Sequence, residues 1–79
     1  METIGSILKQ YRLKKGWNGK ELSLKSGVAR GYITEMENGK YTNPSIEVVC
    51  KLCMALEITP NDLIPTYMYK RNLIILENT

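Results

Sequence analysis

The chain has 79 residues, of which 43% are hydrophobic and 24% are charged, so its length and composition suit a single globular domain. It contains no apolar run of about 18 residues, and residues 1–12 lack the basic and apolar regions of a signal peptide, so we expect a cytoplasmic protein. It has no histidine and only two cysteines, which leaves no four-ligand zinc site and no histidine base, so we expect no metal, no cofactor and no enzymatic activity.

Charge is unevenly distributed along the chain. Residues 1–40 hold eight Lys and Arg residues against four Glu residues, a net charge of +4. Residues 41–79 hold three basic and four acidic residues, a net charge of −1. A basic first half suits a polyanionic partner such as nucleic acid. The simpler alternative is that these basic residues only keep helix surfaces soluble, and the charge alone leaves both open.

A first helix is predicted from Thr3, a suitable N-cap, to about Lys15. Gly16 then ends the helix, and Trp17 is expected to pack over the core where the chain turns. The apolar residues that share one helical face, and so predict the buried stripe, are Ile4, Ile7, Leu8 and Tyr11.

The stretch from Gly19 to Asn38 carries the most informative pattern. Asn18 and Glu21 form a capping-box pattern before a second helix that ends at about Ser26. Gly27 permits the positive φ of a sharp turn, and a third helix follows over residues 29–37. These two helices and the turn between them predict a helix-turn-helix motif, in which the third helix of the chain can enter a DNA major groove. The residues expected on the inner face of this third helix are Val28, Ile33 and Met36.

Two further helices are predicted after a loop at residues 40–44. Ser45 caps the fourth, and the Thr59-Pro60-Asn61-Asp62 sequence starts a short fifth that ends near Pro65. Cys50 and Cys53 are interpreted as two small buried hydrophobic residues, because neither a second ligand pair nor a βαβ pattern accompanies them. The apolar repeat of the fourth helix is Ile46, Val49, Leu52, Cys53 and Leu56.

The tail at residues 67–79 differs from the body at residues 1–66. It contains the apolar run Leu73–Leu76 with little helical periodicity, which is either a short strand or a further turn of helix. Pairing with a second copy and folding back onto the fifth helix are both open for this segment.

Residues 4–64 resemble the Cro and phage-repressor (Xre) family of DNA-binding domains. The matching segments are IGSILKQYRLKKG, ELSLKSGV, YITEMENGK, NPSIEVVCKLCMALEI and TPNDLI. The resemblance implies an all-α, five-helix, lambda-repressor-like domain followed by a short apolar tail. It also implies that the third helix lies in the major groove and that homodimers bind palindromic operators. Arg12 and Glu37 resemble the buried salt bridge of these domains, whose role is orientation.

Base-reading candidates lie on the third helix, opposite its inner face. Arg30 suits guanine O6 and N7, Thr34 suits a thymine methyl group, and Glu35 can accept from cytosine N4. Gly31 is expected to let the backbone approach DNA closely. The alternatives are a phosphate contact for Arg30 and a solvated carboxylate for Glu35.

Phosphate contacts are expected around both ends of the helix-turn-helix. Asn18, Asn38 and Lys40 match family positions that touch the DNA backbone, and the next three residues extend that surface. Tyr32 either packs against the second helix or reaches a phosphate. The full set is Asn18, Tyr32, Asn38, Lys40, Tyr41, Thr42 and Asn43.

Three positions depart from the family pattern. Gly19 stands where Gln is common, and Ala29 stands where Ser or Thr often caps the third helix, which forgoes about 0.5–2 kcal/mol of capping. Gly31 inside that helix costs roughly 1 kcal/mol relative to Ala.

The sequence therefore predicts a sequence-specific transcriptional regulator, a repressor that binds double-stranded DNA as a homodimer. The alternative is an antitoxin or adaptor that mainly binds a partner protein, which the apolar tail and Glu35 favour. Dimerisation needs a self-complementary apolar patch, and we expect it to consist of Leu63, Ile64, Leu73, Ile74, Ile75 and Leu76.

Overall fold

The structure, a computed structural model, describes residues 2–65. These residues form five α-helices, which confirms the predicted all-α fold: α1 (Ile4–Lys14), α2 (Gly19–Ser26), α3 (Arg30–Glu37), α4 (Ile46–Leu56) and α5 (Pro60–Leu63). No helix in the described part of the chain is long and apolar enough to cross a membrane. The predictions for the tail, including the run at residues 73–76, lie outside the described residues.

Side chains cap the first two helices reciprocally. The Thr3 hydroxyl accepts from the Ser6 N–H at 3.1 Å, and the Ser6 hydroxyl accepts from the Thr3 N–H at 2.9 Å. Asn18 and Glu21 make the corresponding pair of bonds at 2.8 and 3.1 Å, which confirms the predicted capping box of α2. Ala29, before α3, provides no side-chain cap, so the first N–H groups of α3 lack the partner that the other long helices have.

The turn between α2 and α3 is held by a glycine and a serine. Gly27 has a φ of +78°, and its N–H donates to the Ser23 carbonyl oxygen at 2.9 Å. The Ser23 hydroxyl donates to the Val28 carbonyl oxygen at 2.7 Å. These bonds fix the direction in which the chain enters α3, and they explain why small residues occupy both positions.

The core draws on all five helices. Six side chains are less than 2% exposed, and each contributes roughly 1.5–3 kcal/mol of hydrophobic stabilisation. Trp17 packs against this core as predicted. The six side chains are Leu8, Leu22, Ile33, Met36, Leu52 and Leu63.

Three predictions about apolar residues were wrong. Leu63 is fully buried, because the single turn of α5 directs it into the core, so it cannot join a dimerisation surface. Ile46, the first residue of α4, lines an open cavity beside the core rather than the core itself, and it is 82% exposed. Cys50 is also exposed, whereas Cys53 is buried and its burial raises the pKa of its thiol. Only one of the two cysteines, Cys53, therefore lies on the core-facing side of α4.

Gly5 is the point of closest approach between α1 and α3. A Cβ atom at this position would overlap the Met36 carbonyl oxygen and lie 3.1 Å from the Glu37 Cα atom. The two helix backbones therefore touch with no side chain between them, and only glycine fits at residue 5.

We expect Gly5→Ala to lower the free energy of unfolding by about 1–3 kcal/mol, because the backbone of α3 must move to admit the methyl group. Urea denaturation measures the change. Gly31→Ala is the matched control, since a Cβ atom there meets nothing within 4 Å. The control is expected to gain up to about 1 kcal/mol from helix propensity. Equal stability of Gly5→Ala and the unmodified protein would contradict the close contact.

Candidate nucleic-acid interface

The outer face of α3 is open to solvent while its inner face is anchored. Ile33 and Met36 are 1% and 0% exposed. Arg30, Gly31 and Thr34, predicted as base-reading positions, are all exposed, and Glu35 is half-buried. α3 therefore presents a continuous polar surface on a rigid support.

The Thr34 side chain has a partner within its own helix. Its hydroxyl donates to the Arg30 carbonyl oxygen at 3.0 Å. A Thr hydroxyl bonded in this way is occupied as a donor. Its methyl group is the part left for an apolar contact such as a thymine methyl.

Arg12 and Glu37 join α1 to the end of α3. The Arg12 Nε and Nη2 atoms donate to the two Glu37 carboxylate oxygens, each at 2.8 Å, and Nη1 donates to the Trp17 carbonyl oxygen at 2.7 Å. The two side chains are only 12% and 10% exposed. The hydrogen bond to Glu37 raises the pKa of Arg12 above its ordinary value, so the guanidinium stays charged. The arrangement orients α3 and leaves Arg12 withdrawn from the outer face.

A polar cleft of about 200 Å³ lies between α3 and the start of α2. Gly19 places no side chain there, and a Cβ atom at that position would lie 4.0 Å from the Arg30 Nε atom. Arg30 thus lies beside the α2 N-terminus, where the helix dipole also favours anions. The residues lining the cleft are Arg12, Gly19, Arg30, Ile33, Thr34, Glu37 and Asn38.

Asn18 is already engaged at this N-terminus. Its side-chain oxygen accepts from Glu21, and its own N–H donates to the Glu21 carboxylate. The side-chain NH₂ group of Asn18 is therefore the donor that remains for a phosphate.

The end of α3 reverses the chain. The Gly39 N–H donates to the Met36 carbonyl oxygen at 3.0 Å and the Lys40 N–H donates to the Glu35 carbonyl oxygen at 2.8 Å. This is a Schellman motif, and it requires the φ of +82° that Gly39 adopts. The reversal leaves the predicted phosphate contacts beside α3 on an exposed segment, which contains Asn38, Lys40, Tyr41, Thr42 and Asn43.

Tyr32 and Tyr41 form a stacked pair that the sequence analysis did not find. Their ring centroids are 4.8 Å apart with an interplanar angle of 26°. Tyr32 is half-buried and packs against the core, whereas Tyr41 is 43% exposed. The pairing depends on the chain reversal at Gly39, for which helical periodicity carries no signal.

Several exposed basic side chains of the first forty residues form no ion pair within residues 2–65. The ion pairs of this region are Arg12–Glu37, Lys15–Glu57 and Lys51–Glu47. The exposed basic residues outside them include Lys20, Lys25, Arg30 and Lys40. Their combined field attracts a polyanion.

We expect Arg12→Ala to lower the free energy of unfolding by about 3–5 kcal/mol, because it leaves the nearly buried Glu37 carboxylate without its partner. The double variant Arg12→Met/Glu37→Leu removes both charges and is expected to lose less than the single variant. Urea denaturation of Arg12→Ala, of the double variant and of its two components, Arg12→Met and Glu37→Leu, provides the comparison. A double variant that loses as much as the sum of the single substitutions would show that the two side chains act independently.

Comparison with known proteins places this arrangement in a family. A sequence model described as helix-turn-helix matches residues 8–63. The HTH-type transcriptional regulator SlrR of Bacillus subtilis is 36% identical over 70 residues, which cover 86% of this chain and 46% of that protein. The HTH-type transcriptional regulator SinR of the same species is 39% identical over 61 residues, which cover 77% of this chain and 55% of that protein. This chain thus aligns with about half the length of each regulator.

Solved structures share the fold. SinR, the master regulator for biofilm formation, in complex with DNA superposes with a TM-score of 0.75 at 39% identity, covering 77% of this chain and 97% of that chain. The restriction-modification controller protein C.AhdI from Aeromonas hydrophila gives 0.72 at 34% identity, covering 77% and 91%. The SinR protein/SinI protein complex gives 0.77 at 32% identity, covering 98% and 80%. The matched sequence and the shared five-helix architecture lead to one conclusion: this chain belongs to the helix-turn-helix family of the Cro and phage-repressor (Xre) type.

Proposed function

We propose that this protein is a sequence-specific DNA-binding transcriptional regulator, a repressor that acts in the cytoplasm through binding rather than catalysis. The observation that carries the proposal is the exposed polar face of α3, which is held on a buried apolar face and contains Arg30, a basic residue that forms no ion pair within residues 2–65. The similarity to HTH-type regulators, and to a SinR structure that contains DNA, supports the same assignment.

In the proposed complex, α3 lies in the major groove and Arg30 reads a guanine through a bidentate contact. Thr34 offers its methyl group, and Glu35 accepts from a cytosine amino group. Contacts to the DNA backbone fix the position of the domain without reading sequence. We assign the backbone contacts to the Asn18 side chain and to four exposed residues that follow α3, which are Asn38, Lys40, Thr42 and Asn43.

We propose further that two copies bind a palindromic operator. Helix-turn-helix dimers place their recognition helices about 34 Å apart, one turn of DNA, so the operator's symmetry mirrors that of the protein. Of the patch predicted from sequence, Leu63 is excluded by its burial, and Ile64 is half-buried at the end of α5. The contribution of residues 73–76 stays a prediction, because they lie outside the described residues.

A second candidate function is binding to a partner protein. It is favoured by the similarity to SinR in the SinR protein/SinI protein complex, a match that covers 98% of this chain. The salt dependence of binding distinguishes the two candidate functions, because phosphate neutralisation makes the affinity for DNA fall steeply with ionic strength.

The first experiment measures binding to duplexes selected from a random pool, with stoichiometry from sedimentation. If each complex neutralises about 6–10 phosphates, affinity is expected to fall roughly 10³–10⁵-fold between 50 and 200 mM salt. Arg30→Ala is expected to cost about 1–3 kcal/mol at the preferred site and to relax the choice of base. Lys40→Ala is the matched control, expected to weaken all sequences alike.

A different experimental result would contradict each part of the proposal. A folded protein that binds no duplex at low salt removes the DNA-binding function. Equal losses for Arg30→Ala on selected and random DNA make Arg30 a phosphate contact. One protein chain per selected duplex removes the homodimer.

Substitution of Gly31 is expected to raise the stability of the protein and to lower its affinity for DNA. Nothing within 4 Å of its position excludes a Cβ atom in the free protein, so the fold does not require glycine there. We expect Gly31→Ala to gain up to about 1 kcal/mol of stability yet bind DNA more weakly, because the methyl group separates α3 from the groove. Urea denaturation and a titration with duplex DNA measure the two quantities. Unchanged affinity would show that the backbone at Gly31 does not approach DNA.

A further inference from the structure

The segment after α3 is connected to that helix by backbone hydrogen bonds and by a contact between two side chains. The Lys40 N–H donates to the Glu35 carbonyl oxygen at 2.8 Å, and the Tyr41 N–H approaches the same oxygen at 3.4 Å. The Tyr41 ring then stacks on the Tyr32 ring, one residue before the buried Ile33. Backbone and side chain therefore both connect the loop at residues 40–43 to α3.

The two rings of this pair have different environments. Tyr32 packs against the core and moves with α3, because it lies within that helix between Gly31 and Ile33. Tyr41 lies outside the helices and is 43% exposed, so it is not part of the core. Its stacking on Tyr32 is the described side-chain contact by which the loop is attached to α3.

We propose that Tyr41 is a positioning residue for DNA binding. Its ring, stacked on Tyr32, holds the loop at residues 40–43 in a fixed position relative to α3. The base-reading face and the phosphate-binding loop then approach DNA as one rigid unit. This inference rests on the proposed function, and it changes the role that the sequence predicts for Tyr41, from a phosphate contact to a residue that acts through Tyr32.

The physical basis is preorganisation. Ordering a flexible loop on binding costs free energy, which a loop already fixed in the free protein does not lose. Lys40, Thr42 and Asn43 are all exposed, and the stack and the two bonds to Glu35 are the contacts that hold this loop to α3. Phosphates carry no sequence information, so loss of the stack weakens binding to all sequences alike.

The test compares Tyr41→Ala with Tyr41→Phe, which keeps the ring and removes the hydroxyl. Tyr41→Ala is expected to weaken binding to selected and random duplexes by the same factor, about tenfold. Tyr41→Phe is expected to stay within about twofold of the unmodified protein, because phenyl rings stack as phenol rings do. Met54→Ala is the matched control, an 80% exposed residue on α4, and is expected to change neither affinity.

A double-variant cycle with Lys40→Ala tests whether Tyr41 acts through the loop. If Tyr41 positions Lys40, the double variant loses less than the product of the two single losses. Multiplicative losses would overturn the proposal. A loss for Tyr41→Phe equal to that of Tyr41→Ala would also overturn it, because the hydroxyl would then touch DNA directly.

Amide hydrogen exchange supplies a measurement that needs no DNA. In Tyr41→Ala the amides of Lys40 and residue 41, which donate to the Glu35 carbonyl oxygen in the unmodified protein, are expected to exchange faster than in that protein, and in Tyr41→Phe at the unmodified rate. Unchanged exchange in Tyr41→Ala overturns the proposal whatever the protein binds. Should the unmodified protein bind no duplex, the proposed function fails, and with it the role of Tyr41 in binding, while the exchange data still decide whether the stack orders the loop. A Tyr41→Leu variant, which keeps an apolar side chain without a flat ring, repeats the comparison if the alanine variant does not fold.

Discussion

The nearly buried pairing of Arg12 with Glu37 is the interaction on which the orientation of α3 depends. One guanidinium binds both oxygens of a carboxylate at the end of α3 and a carbonyl oxygen in the turn after α1. Three parts of the chain therefore share one hydrogen-bonded centre. Because such a pair gains little net stability relative to an apolar pair of similar size, its main effect here is geometric.

α3 needs this support because its own sequence favours a helix weakly. It has eight residues, no side-chain cap at Ala29 and a glycine at its second position. Isolated helices of this length are marginal in water. Its stability therefore comes from tertiary contacts: Ile33 and Met36 in the core, Glu37 on Arg12, and the chain reversal at Gly39. Gly31, which weakens the helix, lies on its exposed side, where the proposed function brings the backbone close to DNA.

The sequence predicted the helices well because capping residues and apolar periodicity are local signals. Asn18 with Glu21, and Thr3 at the start of α1, needed no knowledge of distant residues. The burial of Leu63, the exposure of Ile46 and Cys50, and the contact at Gly5 depend on which helices meet. Apolar residues at helical spacing indicate which face of a helix is buried. They do not indicate how much of that face a neighbouring helix covers. The exposed positions of α3 were likewise predictable from periodicity, whereas the Tyr32–Tyr41 stack required the path of the chain after Gly39.

The direct backbone contact at Gly5 couples the positions of α1 and α3 rigidly. Where side chains separate two helices, they can change rotamer and absorb a small displacement, but packed backbones cannot. A shift of α1 along its axis is therefore transmitted to Met36 and Glu37 without a flexible intermediate. The position of the outer face of α3 is thus set by α1 as well as by the helix-turn-helix itself.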